Sequence, residues 1–327
     1  MIAKIDYYLP QTIVSNEYLA SKFPDFSASK IEKKVGIRER RIAAPGETIS
    51  DMAVTAAEKV LAGYDRNRID FLLLCTQSSD YLLPGSAGII QHKLGLATSI
   101  GAFDYNLGCS GFVYGLAVAK GLMAGGIAKH ILLITAENYS GYLAEDDKSN
   151  RTIFGDAAAA TILESSEALC SIGNFSLGTD GQGVENLIVR SGGGKDRASG
   201  WSSNRPTLYM NGPEIFNFTI EAVPAMAEDV LHRNGLHWED IDHVVFHQAN
   251  QYMLKHLQMK LGINDEKFHI DMMDTGNTVS ASIPIILAKL IQRNTFKYGD
   301  RILIAGFGVG YSYGATILSW KSRGEQK

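Results

Sequence analysis

Cysteine is scarce in this chain: 3 among 327 residues, at Cys75, Cys109 and Cys170. Their wide spacing forms neither a disulfide framework nor the paired CxxC pattern of a zinc site, and it suits a reducing compartment. Surplus charge is missing as well. A formal net charge of −4 leaves no basic excess for a phosphate backbone, which argues against nucleic-acid binding. Long apolar runs are absent, and the opening Met1-Ile2-Ala3-Lys4-Ile5-Asp6 lacks the apolar core of a signal peptide. A cytoplasmic protein that makes no membrane contact is therefore expected. What remains is an ordinary globular composition, 45% hydrophobic and 20% charged, long enough for two packed halves.

Two stretches share an order of features. Ile69-Asp70-Phe71-Leu72-Leu73-Leu74-Cys75-Thr76-Gln77 resembles Ile241-Asp242-His243-Val244-Val245-Phe246-His247-Gln248-Ala249, each an Ile-Asp step into a short buried strand. Further on, Ala160-Thr161-Ile162-Leu163 matches Ala315-Thr316-Ile317-Leu318. The common order points to duplication, and each half alternates strand, helix and strand, the pattern of α/β units with largely parallel strands. The glycine-rich region from Leu177 to Met210 interrupts this and reads as a linker between halves. Its Gly192-Gly193-Gly194-Lys195 run is followed by Asp196 instead of the Ser or Thr of a phosphate loop.

Cys109 stands out by its setting. An apolar strand, Gly101-Ala102-Phe103-Asp104-Tyr105, leads into Asn106-Leu107-Gly108-Cys109-Ser110-Gly111, and a helical pattern through Phe112, Val113, Leu116 and Ala119 follows. A thiol at such a junction faces unpaired backbone N–H groups and the positive helix end, so a lowered pKa is expected. The competing reading is a buried structural cysteine. Two polar residues occupy comparable places in the second half. His247 ends the strand Val244-Val245-Phe246, where open α/β folds gather their active sites. Asn277, in Asp274-Thr275-Gly276-Asn277-Thr278, precedes a helix much as Cys109 does, although a plain capping role also fits it. Near the end, Gly306-Phe307-Gly308-Val309-Gly310 lacks the third glycine of a dinucleotide loop, since Tyr311 stands there; a backbone loop offering N–H groups to an oxyanion suits it better.

Together, Gly36-Ile37-Arg38-Glu39-Arg40, Asn106-Leu107-Gly108-Cys109-Ser110-Gly111, Phe154-Gly155-Asp156, His247-Gln248-Ala249-Asn250, Gly276-Asn277-Thr278 and the final glycine loop resemble the β-ketoacyl-acyl carrier protein synthase III family. These are the initiating condensing enzymes of the thiolase superfamily. The resemblance implies an α/β thiolase-like fold of two duplicated halves in five αβαβα layers. The N-terminal half, 1–170, would carry the nucleophilic Cys, and the C-terminal half, 171–327, the His and Asn. It implies decarboxylative Claisen condensation of an acyl-enzyme with malonyl-acyl carrier protein, giving a 3-oxoacyl-acyl carrier protein, in a homodimer with no metal and no organic cofactor. Cys109 would be acylated, His247 and Asn277 would stabilise the malonyl-derived enolate, and the backbone N–H groups of Cys109 and Val309 would form the oxyanion hole. Val309 replaces the family's usual glycine. Phe154, Phe216 and Phe307 would line the pocket, and Leu83 would reach across the dimer interface to floor it. Lys255 and Lys260 would meet the carrier protein, although Tyr252 and Met259 stand where the family often has basic residues.

The departures bear on the donor. Where family members hold coenzyme A with Trp, two Arg and an Asn, this chain aligns Lys30, Lys34, Lys148 and Pro213. Lysine meets a phosphate as a point charge but neither stacks nor forks as arginine does, which favours a carrier-protein donor. Three other functions compete: acyl transfer to an amine or hydroxyl on the same fold, a Cys-His hydrolase, and a non-catalytic scaffold. Presence of both His247 and Asn277 disfavours the first, the duplicated layout the second, and three filled catalytic positions the third.

Overall fold

The apolar runs of the two halves become the arms of one mixed sheet in a computed structural model that describes residues 1–165, 168–198, 200 and 205–321. The first half supplies β1 (Ile2–Tyr8), a two-stranded ribbon of β2 (Thr12–Ser15) and β3 (Glu39–Ile42), then β4 (Phe71–Cys75), β5 (Gly101–Tyr105), β6 (His130–Glu137) and β7 (Ala157–Glu164). The second supplies β8 (Cys170–Thr179), a ribbon of β9 (Leu187–Val189) and β10 (Leu208–Met210), then β11 (His243–Phe246), β12 (Arg301–Gly308) and β13 (Ser312–Trp320). The nine remaining strands run in the order β11-β12-β13-β8-β1-β7-β6-β4-β5.

Outward from the β1–β8 seam the two arms match. One reads β1, β7, β6, β4 and the other β8, β13, β12, β11. Parallel pairing is confined to β5–β4–β6 and β11–β12, so the sheet is mixed and not largely parallel as expected. The reason is local. β12 turns directly into β13, and only short helical turns separate β6 from β7, so each pair returns antiparallel without a crossover helix.

Helices cover both arms and fill the space between them. The outer helix Ile49–Leu61 starts on a Thr48–Asp51 capping box and buries Ile49, Met52, Ala53, Ala56, Ala57 and Val60 against β1, β6 and β7. On the far side, Gly212–Arg233 covers β8, β12 and β13. Between the arms lie Gly111–Ala124, which touches β4 and β6 but also β12 and β13, and Ser282–Gln292, which touches β1 and β7 but also β11 and β12. The succession is helix, one arm of the sheet, helix pair, the other arm, helix: the five layers of a thiolase-like fold. Residues Ser282 to Leu290 are all buried, because this helix has sheet on both sides. Its inward Lys289 is neutralised by Asp271 at 2.9 Å and Asp274 at 2.7 Å.

Among its described residues, the region from Leu177 to Met210 holds more strand than a linker would. Pairing with β13 carries β8 through Thr179, and β9 with β10 closes a ribbon over the second arm. Cross-strand pairing overrides the glycine content here, and Gly178 lies flat against the Tyr313 ring opposite it. Among the described residues, no helix is long and apolar enough to cross a membrane.

Candidate active site

After β5 the chain turns sharply, with the Gly111 N–H donating to the Gly108 carbonyl at 2.8 Å, and the Gly111–Ala124 helix begins two residues beyond Cys109. The end of β12 passes directly over this turn. A Cβ on Gly306 would lie 2.5 Å from the Cys109 carbonyl oxygen, and one on Gly308 only 2.9 Å from Sγ, so both positions admit glycine alone. The Ser110 and Ser312 hydroxyls, 2.6 Å apart, tie the junction to β13. The backbone N–H groups of Cys109 and Val309 both approach the sulfur and favour its ionisation. Burial nevertheless pushes the thiol up to about 12, with the Glu137 carboxylate adding in the same direction. The lowered pKa expected from the helix start is thus reversed: removing a thiolate from water costs more than two N–H groups and a helix dipole return.

His247 continues the β11–β12 pairing, its N–H donating to the Ala305 carbonyl at 2.7 Å. Its ring sits edge-on to Phe307, with centroids 5.7 Å apart, and Nδ1 lies 2.6 Å from the Ser282 hydroxyl. That hydroxyl also accepts the Gln248 N–H at 3.3 Å and can give its own proton to Nδ1, an arrangement in which the imidazole hydrogen stands on Nε2. Burial pushes His247 down to about 3, so the ring is neutral at pH 7.

Asn277 is held on both sides. A backbone bridge joins it to Phe154, with the Asn277 N–H donating to Ile153 O at 2.9 Å and Gly155 N–H donating to Asn277 O at 3.0 Å. Its side-chain oxygen accepts the Val279 N–H at 2.9 Å, which leaves the amide NH₂ group to donate elsewhere. Asp156, next to this bridge, accepts from Ala43 N–H, Ser140 N–H and the Ser140 hydroxyl, fastening the neighbouring loops.

Cys109, His247 and Asn277 meet on one cavity of about 140 Å³, and Phe154, Phe307 and Tyr139 form part of its wall. Phe216 does not line it. On the Gly212–Arg233 helix, Gly212, Ile215 and Thr219 face the cavity, and Phe216, one step further round, packs against Tyr252 and His256 instead. Leu83 is 83% exposed and lies outside this chain's cavity. Val309 contributes its N–H without joining the wall. Lys255 edges a separate surface depression beside Gly36 and Arg38, and Lys260 donates to the Ile220 carbonyl at 2.6 Å, so the two lysines do not form one patch. Lys148 is paired with Asp25 at 2.8 Å, and Pro213 opens a helix. Among the described residues, no group of three or more His, Cys, Asp or Glu side chains is placed to share a metal ion. Sequence reasoning missed Ser282 and Tyr139; only the hydroxyl at the helix start after Asn277 hinted at the first.

Comparison with known proteins decides the family. Residues 103–181 match the family model of 3-oxoacyl-[acyl-carrier-protein] synthase III, and residues 231–320 match its C-terminal model. A β-ketoacyl-[acyl-carrier-protein] synthase III of Clostridium perfringens is 37% identical over 317 residues, covering 95% of this chain and 96% of that protein. The chain belongs to the β-ketoacyl-acyl carrier protein synthase III family. Among solved structures, a 3-oxoacyl-(acyl-carrier-protein) synthase III shares 45% identity at a TM-score of 0.92, covering 98% of this chain and 99% of that one. The priming β-ketosynthase of the R1128 polyketide pathway shares 32% at a TM-score of 0.90, covering 98% and 96%. Members of this family are condensing enzymes, and this synthase III chain is one of them.

Proposed function

We propose that the enzyme condenses an acyl group held on Cys109 with malonyl-acyl carrier protein, releasing carbon dioxide and forming a 3-oxoacyl-acyl carrier protein. The observation that carries this reading is the convergence of one thiol and two uncharged side-chain donors on a single cavity. Attack by the Cys109 sulfur on the donor thioester forms the Cys109–acyl bond and expels the carrier thiol, which leaves with the proton Cys109 gave up. The N–H groups of Cys109 and Val309 sit beside the sulfur, where the oxyanion of that step develops. The malonyl thioester then loses carbon dioxide, and its electron pair becomes an enolate. Nε2–H of neutral His247 and the Asn277 amide donate to the enolate oxygen, and the carbanion attacks the acyl carbon, expelling Cys109 as a thiolate that takes a proton from water. Donors fixed in place for charge that exists only during reaction raise the rate without tightening ground-state binding.

The remaining assignments belong to the same reading. The division at 170/171 separates a nucleophile half from a donor half. Tyr81, Leu82 and Leu83 are 62%, 81% and 83% exposed, and Phe103 is 41% exposed on the edge strand β5. An apolar edge of this kind calls for cover. A second copy pairing there makes a homodimer in which Leu83 floors the pocket of the other subunit. Lysines in place of a stacking and forking site, one of them already paired with Asp25, favour a carrier-protein donor docked near Lys255. The setting is the cytoplasm, where carrier and malonyl thioesters meet it. Incubating the protein with acyl and malonyl thioesters should yield carbon dioxide and a product longer by two carbons. Acyl transfer to water, an amine or a hydroxyl without carbon dioxide release would replace this reading.

A further inference from the structure

Glu137 is a buried charge-bearing group that this mechanism leaves unused. It ends β6 with no exposed surface, and among the described residues none of its hydrogen-bond partners is a basic side chain. One carboxyl oxygen accepts the Gln77 N–H at 3.0 Å and meets the Ser78 hydroxyl at 3.1 Å; the other meets the Ser280 hydroxyl at 2.7 Å. Gln77 and Ser78 follow β4, whereas Ser280 comes from the turn between Asn277 and the Ser282–Gln292 helix.

Each contact leads to one side of the active site. The Gln77 side chain donates to Asn106 Oδ1 at 2.9 Å and accepts the Tyr139 hydroxyl, and its oxygen would lie 2.6 Å from a Cβ on Gly108. Gln77 thereby braces the segment that carries Cys109. On the other side, Val279 holds φ at +52°, a left-handed conformation that a β-branched residue adopts only when its surroundings impose it. Two restraints flank it: the Asn277 side chain on the Val279 N–H and Glu137 on the Ser280 hydroxyl.

We propose that Glu137 is a positioning residue, its carboxyl group clamping the segment before Cys109 to the strained turn after Asn277. The inference rests on the reading of Cys109 and Asn277 given above. It has an electrostatic consequence, because the same carboxyl acts on the Cys109 thiol. Burial pushes Glu137 up to about 8, so at neutral pH the clamp is largely uncharged and adds little repulsion to a developing thiolate. Above that pH its charge opposes ionisation of Cys109. The other titratable groups facing it are Cys75 from β4, Tyr105 from β5, Tyr139 and Tyr142 from the turn after β6, and Asp156 before β7. The thiol and phenols are all pushed upward and stay neutral near pH 8, and Asp156, at about 6, is already charged there. A transition near pH 8 therefore reports Glu137.

The test uses the whole protein. Alkylation of Cys109 by iodoacetamide, read as the modified peptide by mass spectrometry, should accelerate roughly tenfold per pH unit as thiolate accumulates. In wild type the climb should flatten around pH 8 as Glu137 charges; in Glu137→Gln it should remain straight. Malonyl decarboxylation should fall about 100-fold in Glu137→Ala, where both loops are freed, and less than about tenfold in Glu137→Gln. A straight profile in wild type, a bend that survives in Glu137→Gln, or wild-type decarboxylation in a folded Glu137→Ala would each overturn the proposal. If Glu137→Ala does not fold, the alkylation profiles decide alone. A wild-type protein that alkylates with the bend but neither acylates nor decarboxylates refutes the proposed function and upholds the clamp.

Discussion

The two helix starts at the centre of the molecule occupy matching places and do opposite work. In the first half, β5 lies beside β4, and the chain then reaches Cys109 and the Gly111–Ala124 helix. In the second, Phe268 bridges to Val244 of β11 where a fifth strand would lie, and the chain then reaches Asn277 and the Ser282–Gln292 helix. The Cys109 turn is pressed under the glycines of β12, so backbone lies close against it on one side while the other opens on the cavity. The Asn277 turn is strained at Val279 and held open by side chains, which keeps an amide and, through Ser282, an imidazole pointed by fixed bonds. Duplication brought two helix starts to one centre. In the proposed mechanism the nucleophile stands at one and the neutral donors around the other, so acylation and decarboxylation would draw on different halves of the chain.

The sharpest break of this comparison is at the nucleophile. Cys109→Ala should eliminate the acyl adduct seen by intact-protein mass spectrometry after incubation with an acyl thioester, because Cys75 and Cys170 are buried away from the cavity. An adduct that persists would place the nucleophile elsewhere and end the contrast between the two junctions. Next in size, His247→Ala and Asn277→Ala should each slow malonyl decarboxylation by roughly 100-fold or more, the cost of losing a preorganised donor. Acylation of Cys109 should survive at least in part. Equal loss of both half-reactions would mean that the halves do not divide the chemistry. The smallest effect concerns pocket depth. Leu83→Phe should shift the preferred acyl chain to shorter lengths, since added volume in a close-packed pocket must displace substrate. An unchanged length profile in a folded variant would leave Leu83 as surface or interface packing without a role in selectivity.

Much of the site was legible in the sequence because its parts are short motifs with local causes. Cys109 between an apolar strand and a small-residue helix start, His247 at a strand end and Asn277 before a helix are patterns within a few residues. Phe216 was misplaced because being near the right position in sequence does not fix which side of a helix faces inward; the 100° step from Ile215 to Phe216 decided it. The Leu177–Met210 region was misjudged because the end of β8 extends by pairing with the distant β13 and β9 pairs with β10 within the region, and glycine content carries no record of either pairing.

Residue order marked the repeated α/β layout and set Cys109, His247 and Asn277 apart by their junctions, because hydrophobic periodicity is written locally; the roles proposed for them rest on the family resemblance. Tertiary structure alone decided how those groups behave. Ser282 reaches His247 across 35 residues, and Glu137 meets Ser280 across 143, so neither the partner of the imidazole nor the proposed clamp can be read from neighbours in the chain. The thiol shows the same division most plainly. Its helix start argues for a low pKa, yet burial raises it, because the cost of desolvating a charge depends on everything folded over the group and on nothing in the residues beside it.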